Sequence, residues 1–439
     1  MTRVSTQFGE PLSAESKKLV NEVRLRINQP IHPQFDTNFN IYRFIMNVER
    51  THKKEKDIIE LATKGLNNHL RQRRAFKLDT MPVKTFDENP VFQRRLMPRG
   101  EVQTEMVDSS NRLMWYIDYA SVTVESLAHS TRSSEAVRYQ FWQFEYMLRL
   151  VMAHEEKTGR LSSLHHIIDM AGYEINPFTM LFVTSGTLAY YSQLFHYENF
   201  PELVSPGSMV NIAKWIHVPY KLCRAVMPAG FADRFQLQDS SFMVELQKQV
   251  KLDQIPVSLG GTNTEIQCTP AVKVPPENYW APSDEALLAS LEAIHVPARK
   301  RRHVKLDVAE AGQKISWYFR TDGDIFFGVF YEATPSSSRE IESGVSKKDK
   351  EKECKELETD DLEMVYPYVK LTAKIVHEWD SIIAEQPGRY YVVWCNNHSW
   401  LTKRAVEQLV HLDVADGKTK RVHFDGTLSP AKQTIPPCA

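Results

Sequence analysis

The chain has 439 residues, a length that suits two or three domains, and its hydrophobic fraction of 42% allows a sizeable buried core. Lys and Arg total 54 against 55 for Asp and Glu, and this near-balance argues against nucleic-acid binding by bulk charge. The first residues, MTRVSTQFGE, lack the apolar core of a signal peptide. No run approaches the roughly 18 apolar residues that a spanning helix needs. The five cysteines (Cys223, Cys268, Cys354, Cys395 and Cys438) are scattered without a CxxC, and they read as reduced thiols of a cytoplasmic protein.

The first 95 residues read as a helical segment. Ile58, Ala62, Leu66 and Leu70 recur at every fourth position, which makes one apolar stripe on a helix. Asp57 lies near its start and Arg71, Arg73 and Arg74 at its end, as the macrodipole favours. The apolar stretch FNIYRFIM, 39–46, is of similar kind.

Residues 96–265 read as α/β with a mainly parallel sheet. LMWYIDYASVTV is aromatic and β-branched and predicts a buried strand. SEAVRYQFWQFEYMLRLVMAHEE is long enough for a mostly covered helix. LHHIIDMAGYE reads as strand and turn, LAYYSQLFHYENF as helix and MVNIAKWIHVP as strand. VPYKLCRAVMP is a short helical piece, and FMVELQKQV a helix with Phe242, Leu246 and Val250 on one face. Strands alternating with helices argue for parallel pairing.

Residues 266–285 are proline-rich and read as a linker. The segment 286–415 then predicts a half-buried β-sandwich, with period-2 apolar positions at Ile315, Trp317 and Phe319, at Ile325, Phe327, Val329 and Tyr331, and at Val369, Leu371, Ala373 and Ile375. GRYYVVWCNN is one more strand. The mixed-charge run at 336–363 predicts a disordered loop, and 416–439 a flexible tail.

The usual catalytic motifs are missing. There is no GxSxG elbow, no GxxxxGK[ST] and no GxGxxG, so no enzyme class is indicated. Gly260-Gly261, in DQIPVSLGGTN, follows a helix instead of opening one, so it reads as a closing turn and not a phosphate cradle. Adjacent His165 and His166 on a strand point to opposite faces and do not share a metal ion. Glu155 and Glu156 beside His154 read as a solvated helix end. Arg299, Lys300, Arg301, Arg302 and His303 lie between two β segments and read as an exposed hairpin loop. Either plain solvation or contact with an anionic membrane accounts for Arg299, Lys300, Arg301 and Arg302. The middle segment is rich in Trp115, Tyr116, Phe141, Phe144, Phe178, Phe182, Tyr190, Tyr191, Phe195 and Trp215. These build either an ordinary core or the lining of a large apolar cavity.

Several stretches resemble a known domain pair. FHYENFPELV, MVNIAKWIHVPYKLCRAVMPAGFADRFQL and LDQIPVSLGGT are similar to the second half of a CRAL-TRIO lipid-binding domain. The matching points are Phe200-Pro201-Glu202, Pro228, the run from Ile255 to Gly261, and Asp169 with Gly172 in the HHIIDMAG strand. ISWYFRTDGDIFFGVFYE and QPGRYYVVWCNNHSWLTKRAV resemble a GOLD domain through Pro387-Gly388, Tyr390, Asn396 and Asn397, and Ser399-Trp400. Together, over about residues 35 to 412, they are similar to the supernatant protein factor or tocopherol-associated protein group. That resemblance implies a non-enzymatic protein that binds a hydrophobic lipid in an apolar cavity and transfers or presents it between membranes. It implies a bound lipid, no other cofactor, a transient membrane surface and no nucleic acid. Glu202 and Arg234 match the positions that bracket an inositol headgroup in some members. The basic string usual near the start is replaced by YRFIMNVER, which keeps Arg43 and Phe44. Phosphatidylinositol, another phospholipid and an isoprenoid such as tocopherol all stay open as ligands. A lipid-regulated adaptor in membrane trafficking, whose GOLD domain binds a protein partner, is the alternative.

Overall fold

The computed structural model describes residues 5–173, 198–213, 218, 221, 234–333, 357–414 and 417–437. The chain divides into two compact units. The first comprises Met1–Arg73, Lys77–Leu127 and Ala136–Asn278, and the second Arg74–Phe76, Ala128–Glu135 and Tyr279–Ala439.

The first unit opens with helices that their ends specify. α1 (Ala14–Arg24) is capped by the Ser13 hydroxyl, which accepts the Ser16 N–H, and it carries Glu15 in its first turn and Arg24 in its last. α2 (Asn38–Glu49) is capped in the same way by Thr37. α3 (Glu55–Ala75) starts on Glu55 and Asp57, and its stripe of Ile58, Ala62, Leu66 and Leu70 is buried as the spacing predicts. α4 (Pro90–Gln93) starts with proline after the Asn89 cap.

A five-stranded sheet follows in the order β2-β3-β4-β5-β6. Its strands are β2 (Val102–Val107), β3 (Leu113–Asp118), β4 (Leu164–Asp169), β5 (Val204–Val210) and β6 (Phe235–Leu237). β3 to β6 are mutually parallel, but β2 joins antiparallel, so the sheet is mixed rather than purely parallel. β2 is a polar, half-exposed edge, which is why its sequence gives little strand signal. α5 (Val124–Ser130) and α6 (Ser133–Thr158) lie between β3 and β4 in the chain. β1 (Arg99–Gly100) pairs with β7 (Cys268–Thr269) in a separate ribbon.

Two expectations shift here. MVNIAKWIHVP was read as a strand, but β5 ends at Val210 and begins at Val204. A one-residue bulge against β4 accommodates the Pro206-Gly207 pair within β5. FMVELQKQV is helical only over α7 (Phe242–Leu246). Val250 still joins Phe242 and Leu246 in one buried cluster, with Met114 and Tyr116 of β3 and Ile167 of β4. LAYYSQLFHYENF up to residue 197, and most of VPYKLCRAVMP, lie outside the described residues.

The stretch 253–263 is a compact closing turn. Val257–Leu259 form a 3-10 turn capped by Gly260 at φ 90°. A Cβ on Gly261 would meet the Ile255 carbonyl oxygen at 2.0 Å. The prolines beyond it do not hang free. The Ala271 and Val274 N–H groups donate to the hydroxyls of Ser121 and Ser126.

The second unit starts its regular structure with α8 (Glu285–Ala289) and β8 (Glu292–Val296). It continues with β9 (Arg301–Val308), β10 (Lys314–Thr321), β11 (Asp324–Glu332), β12 (Glu363–Thr372), β13 (Glu378–Ile383), β14 (Gly388–Cys395) and β15 (Arg404–Asp413). One sheet runs β12-β11-β14-β9, and another β13-β10-β15, with β8 also paired to β15. Every pairing in these sheets is antiparallel. The two inner faces meet through aromatics. Trp317 of β10 lies 5.4 Å from Phe327 and 4.7 Å from Tyr366, and Phe319 lies 5.8 Å from Trp394. This is a β-sandwich.

β10 is not half-buried as its period-2 pattern suggests. Ser316 and Tyr318 are also covered, because Leu287 of α8 and Leu409 of β15 pack around Tyr318. The basic run is not a hairpin loop, since β8 pairs with β15 and β9 with β14, so the turn between them crosses from one sheet to the other. Residues 416–439 are no loose tail over their described part. β16 (Thr419–Val422) extends β15 and β17 (Leu428–Pro430) extends β16, with Val422 buried. Their short, charged sequences hide the strand signal. Residues 336–356 of the expected charged loop lie outside the described set. Among the described residues, no helix is long and apolar enough to cross a membrane.

Candidate functional site

The most concentrated buried charge in the first unit lies at the N-terminal ends of the parallel strands. Glu202 sits two residues before β5 and is completely buried. Its carboxylate takes a bidentate pair from Arg50, Nε to Oε1 at 2.7 Å and Nη2 to Oε2 at 2.7 Å. Arg234, immediately before β6, adds Nη2 to Oε1 at 2.7 Å and also donates to Asn47 Oδ1. Arg50 caps the C-terminal end of α2, where the helix dipole favours a cation. Arg43, Asn47 and Arg50 stand at i, i+4 and i+7, one face of that helix.

Burial works to raise the Glu202 pKa, but Arg234 and Arg50 outweigh it and hold the carboxyl below its usual range. The Glu202 backbone has φ 60°, a left-handed conformation that costs a residue with a side chain about 1–3 kcal/mol. The surrounding pairs therefore fix it against its own preference.

A second cluster adjoins the first. Asp108, at the end of β2, accepts the Ser110 and Arg112 N–H groups at 2.8 and 3.0 Å. Arg112 Nη1 reaches Asp108 Oδ2 at 3.4 Å. Burial lowers the Arg112 pKa, and Arg50 lowers it further, while Asp108 and Glu202 hold it up. His165 Nδ1 lies 3.0 Å from Asp108 Oδ2 and Nε2 lies 3.1 Å from Ser208 Oγ. An ionised carboxylate only accepts, so Nδ1 carries the proton and Nε2 accepts from Ser208. Among Arg50, Arg112, Arg234, Asp108 and Glu202 there are three guanidinium groups against two carboxylates. These ions converge in a place with little solvent, and bidentate guanidinium faces suit phosphate.

At the opposite, C-terminal ends of the strands lies a cavity of about 430 Å³. It is lined by Tyr116, Asp118, Asp169, residues 256–259, residues 263–264 and residues 266–268 among others, and its volume is in the range of ligand pockets. The closing turn thus forms one wall of a cavity, which its sequence does not suggest.

The structure brings Glu202 and Arg234 together as a buried ion pair. Sequence reading missed Arg50, Arg112, Asp108 and His165 as their neighbours. The signal for Arg50 is the helical spacing in YRFIMNVER, whose last residue it is. Of the aromatic candidates, Tyr116 lines the cavity and donates its hydroxyl to the Gln254 carbonyl at 2.9 Å. Trp115 stacks on His166 with ring centres 3.6 Å apart, and Phe141 and Phe144 each lie 5.5 Å from Phe200 in the core. Phe178, Phe182, Tyr190, Tyr191, Phe195 and Trp215 lie outside the described residues. His165 and His166 face opposite sides of the sheet, as alternation predicts. Glu155, read as solvated, is instead buried against Arg43 at 2.5 Å and accepts the Ser162 N–H, because α6 packs its C-terminal turn inward there. Arg299 and Lys300 are exposed, while Arg301 and Arg302 are half-buried within β9, with Arg301 bonded to the Leu357 carbonyl.

Comparison with known proteins follows this division. Residues 12–81 match a family described as a domain of unknown function (DUF8435), and residues 278–421 one described as F28H7_8_C:-like, C-terminal domain. The CRAL-TRIO domain-containing protein F28H7.8 of Caenorhabditis elegans is 23% identical over 387 residues, covering 87% of this chain and 87% of that protein. Protein ctg-1 of the same organism is 20% identical over 308 residues, covering 67% of this chain and 73% of that protein. The crystal structure of Sfh5 aligns with a TM-score of 0.33 at 13% identity, over 46% of this chain and 67% of that one. Residues 100–261, which hold β3 to β6, Glu202 and Arg234, match a family described as the CRAL/TRIO domain, so this part of the chain is similar to a CRAL-TRIO domain.

Proposed function

We propose that the first unit binds one lipid whose phosphate-bearing headgroup is held by Arg50, Arg112 and Arg234, and that the protein transfers or presents this lipid between membranes without catalysing a reaction on it. The observation that carries the reading is the Arg50–Glu202–Arg234 bracket, in which Glu202 is fully buried. Taking an ion out of water costs several kcal/mol, and apolar residues of similar size hold a fold together as well. A cluster of five buried or half-buried ions is therefore better accounted for by a ligand than by stability. In the absence of ligand Glu202 bridges two guanidiniums. With ligand, a phosphate pairs with the arginines, and the Glu202 carboxylate accepts headgroup hydroxyls. Phosphatidylinositol supplies both groups. Acyl chains add about 0.8 kcal/mol per buried CH₂, which suffices for extraction from a bilayer with no covalent step.

Organic extraction of the purified protein followed by mass spectrometry tests the reading, and a stoichiometric phospholipid is the expected result. Arg50→Gln, at a site one quarter exposed, lowers phosphatidylinositol transfer by about tenfold, one lost charge-assisted contact. Phosphatidylcholine transfer falls less, because Arg50 also orients the Glu202 carboxylate, and the choline headgroup has no hydroxyls to lose there. Equal loss of both lipids would count against the headgroup assignment. A stoichiometric tocopherol or other neutral isoprenoid would replace it.

A further inference from the structure

The second unit carries an exposed apolar tip unlike anything else on its surface. Trp400 is 76% exposed and Leu401 94%, the highest value for a large apolar residue among the described residues. Two neighbours with such exposure lose free energy in water and gain it at an apolar boundary. The loop that presents them is firmly built. Asn396, fully buried, donates Nδ2 to the Val296 carbonyl at 3.1 Å and the Thr402 carbonyl at 2.8 Å. The Ser399 hydroxyl accepts the Thr402 N–H at 3.1 Å. Trp400 and Leu401 thus project from a loop closed on itself.

The rim of this tip is basic. The turn between β8 and β9 lies beside it, since the Arg299 N–H donates to the Asn396 carbonyl and the Asn396 N–H to the Lys300 carbonyl. The Arg299 guanidinium covers the Trp400 ring at 3.3 Å from its centre. Lys300 and Lys403 are exposed on either side. Asp322, the acid nearest in the chain pairing, is engaged by the Ala405 N–H at 3.1 Å. Charge complementarity selects the occupant, because an apolar protein groove does not ask for three cations around two apolar side chains. An interfacial tryptophan with flanking lysine and arginine is what the headgroup region of a bilayer accommodates.

We propose that the Trp400–Leu401 tip, rimmed by Arg299, Lys300 and Lys403, inserts into the headgroup region of an anionic membrane and docks the second unit there. Neither signal suffices alone, since stable anchoring takes an apolar insertion together with a basic patch. The docking is independent of the lipid site in the first unit.

Sedimentation of the full chain with vesicles of phosphatidylcholine, with and without phosphatidylserine, tests this. The wild-type chain binds the phosphatidylserine vesicles at low salt, and high salt weakens the binding. Trp400→Ala with Leu401→Ala lowers the binding on the order of tenfold. Lys300→Glu and Lys403→Glu each lower it by about fivefold or more. Brominated lipid quenches tryptophan fluorescence in the wild type, and Trp400→Phe abolishes that component. The tip variants keep any lipid that extraction recovers from the wild type, so failure here and failure of the headgroup reading are distinguishable. A wild-type chain that ignores phosphatidylserine vesicles, or a Trp400→Ala, Leu401→Ala chain that binds them fully, overturns the proposal. The first of these results would leave the tip to a protein partner.

Discussion

The two units bury different things. The first carries a convergent set of ions into its interior, at the ends of its parallel strands, where Glu202 joins Arg50 and Arg234. The second fills its interior with aromatic rings, Trp317, Phe319, Phe327, Tyr366 and Trp394, between two antiparallel sheets. Ring packing is repaid by contact alone, whereas buried ions are repaid only by other ions or by a ligand. The proposed headgroup site lies inside the first unit, and the proposed membrane contact lies on an exposed tip of the second.

Two substitutions of similar cost separate these regimes. Trp317→Ala removes a ring that is 1% exposed and is expected to destabilise the second unit by about 3–5 kcal/mol. Glu202→Gln leaves two guanidiniums without their carboxylate and costs about 3–5 kcal/mol in the first unit. Hydrogen exchange over β10 and over β5 reports each loss separately. Inorganic phosphate should restore part of the Glu202→Gln loss, because it takes the vacated place between the arginines, and none of the Trp317→Ala loss. A phosphate effect equal in both variants breaks the comparison.

A smaller effect is expected at Gly261. An added Cβ would press on the Ile255 carbonyl oxygen, which is backbone and cannot swing away. Gly261→Ala is expected to cost about 1–3 kcal/mol in denaturant unfolding, and Gly260→Ala, at φ 90° with open space around it, roughly 1 kcal/mol. Reversal of that order would mean that the turn is free to move.

These glycines also show how much was legible. Gly-Gly after a helix reads as a turn, and it is one, because local chemistry decides turns. The helix stripe of α3 and the strands β3, β4, β10, β11 and β14 are legible for the same reason, since each has a period. β5 is displaced because a proline within a parallel strand needs a bulge that no periodicity reports. The site is legible in halves. Glu202 and Arg234 follow from resemblance to a family motif. Arg50, 152 positions from Glu202, meets it only because the C-terminal end of α2 reaches the start of β5. Contacts of that range leave no local trace.

Acid separates the units again. Burial lowers the His377, His398 and His411 pKa values to about 4, with Arg320, Lys370 and Arg421 respectively adding to the effect. His303 is lowered too, while in the first unit His69 and His154 are lowered, by burial first in each case. A histidine whose folded pKa is depressed keeps its contribution above about pH 6.5, the unfolded value, and loses it as pH falls towards 4. Glu202 and Asp108 are also depressed, but for carboxylates the loss begins only below about pH 4. Between pH 7 and 5, hydrogen exchange corrected for its intrinsic rate should therefore rise first in β10 and β15. An earlier rise in β3 to β5 would assign the acid sensitivity to the first unit.

The smallest effect is the sharpest test of what burial does. Arg320 Nη2 lies 2.7 Å from Glu407 Oε2, the same separation as Arg234 from Glu202. The side chains of the former pair are 39% and 38% exposed, those of the latter 3% and 0%. Water screens the exposed pair and solvates either partner when the other is removed, so its coupling is expected to be at most about 0.5 kcal/mol. The buried pair has no such recourse, and its coupling is expected to reach a few kcal/mol. Double-mutant cycles with Arg320→Ala and Glu407→Ala, and with Arg234→Gln and Glu202→Gln, measure both in one protein. Equal couplings would mean that water reaches the Glu202 carboxylate, and the argument that a ligand must replace it there would lose its ground.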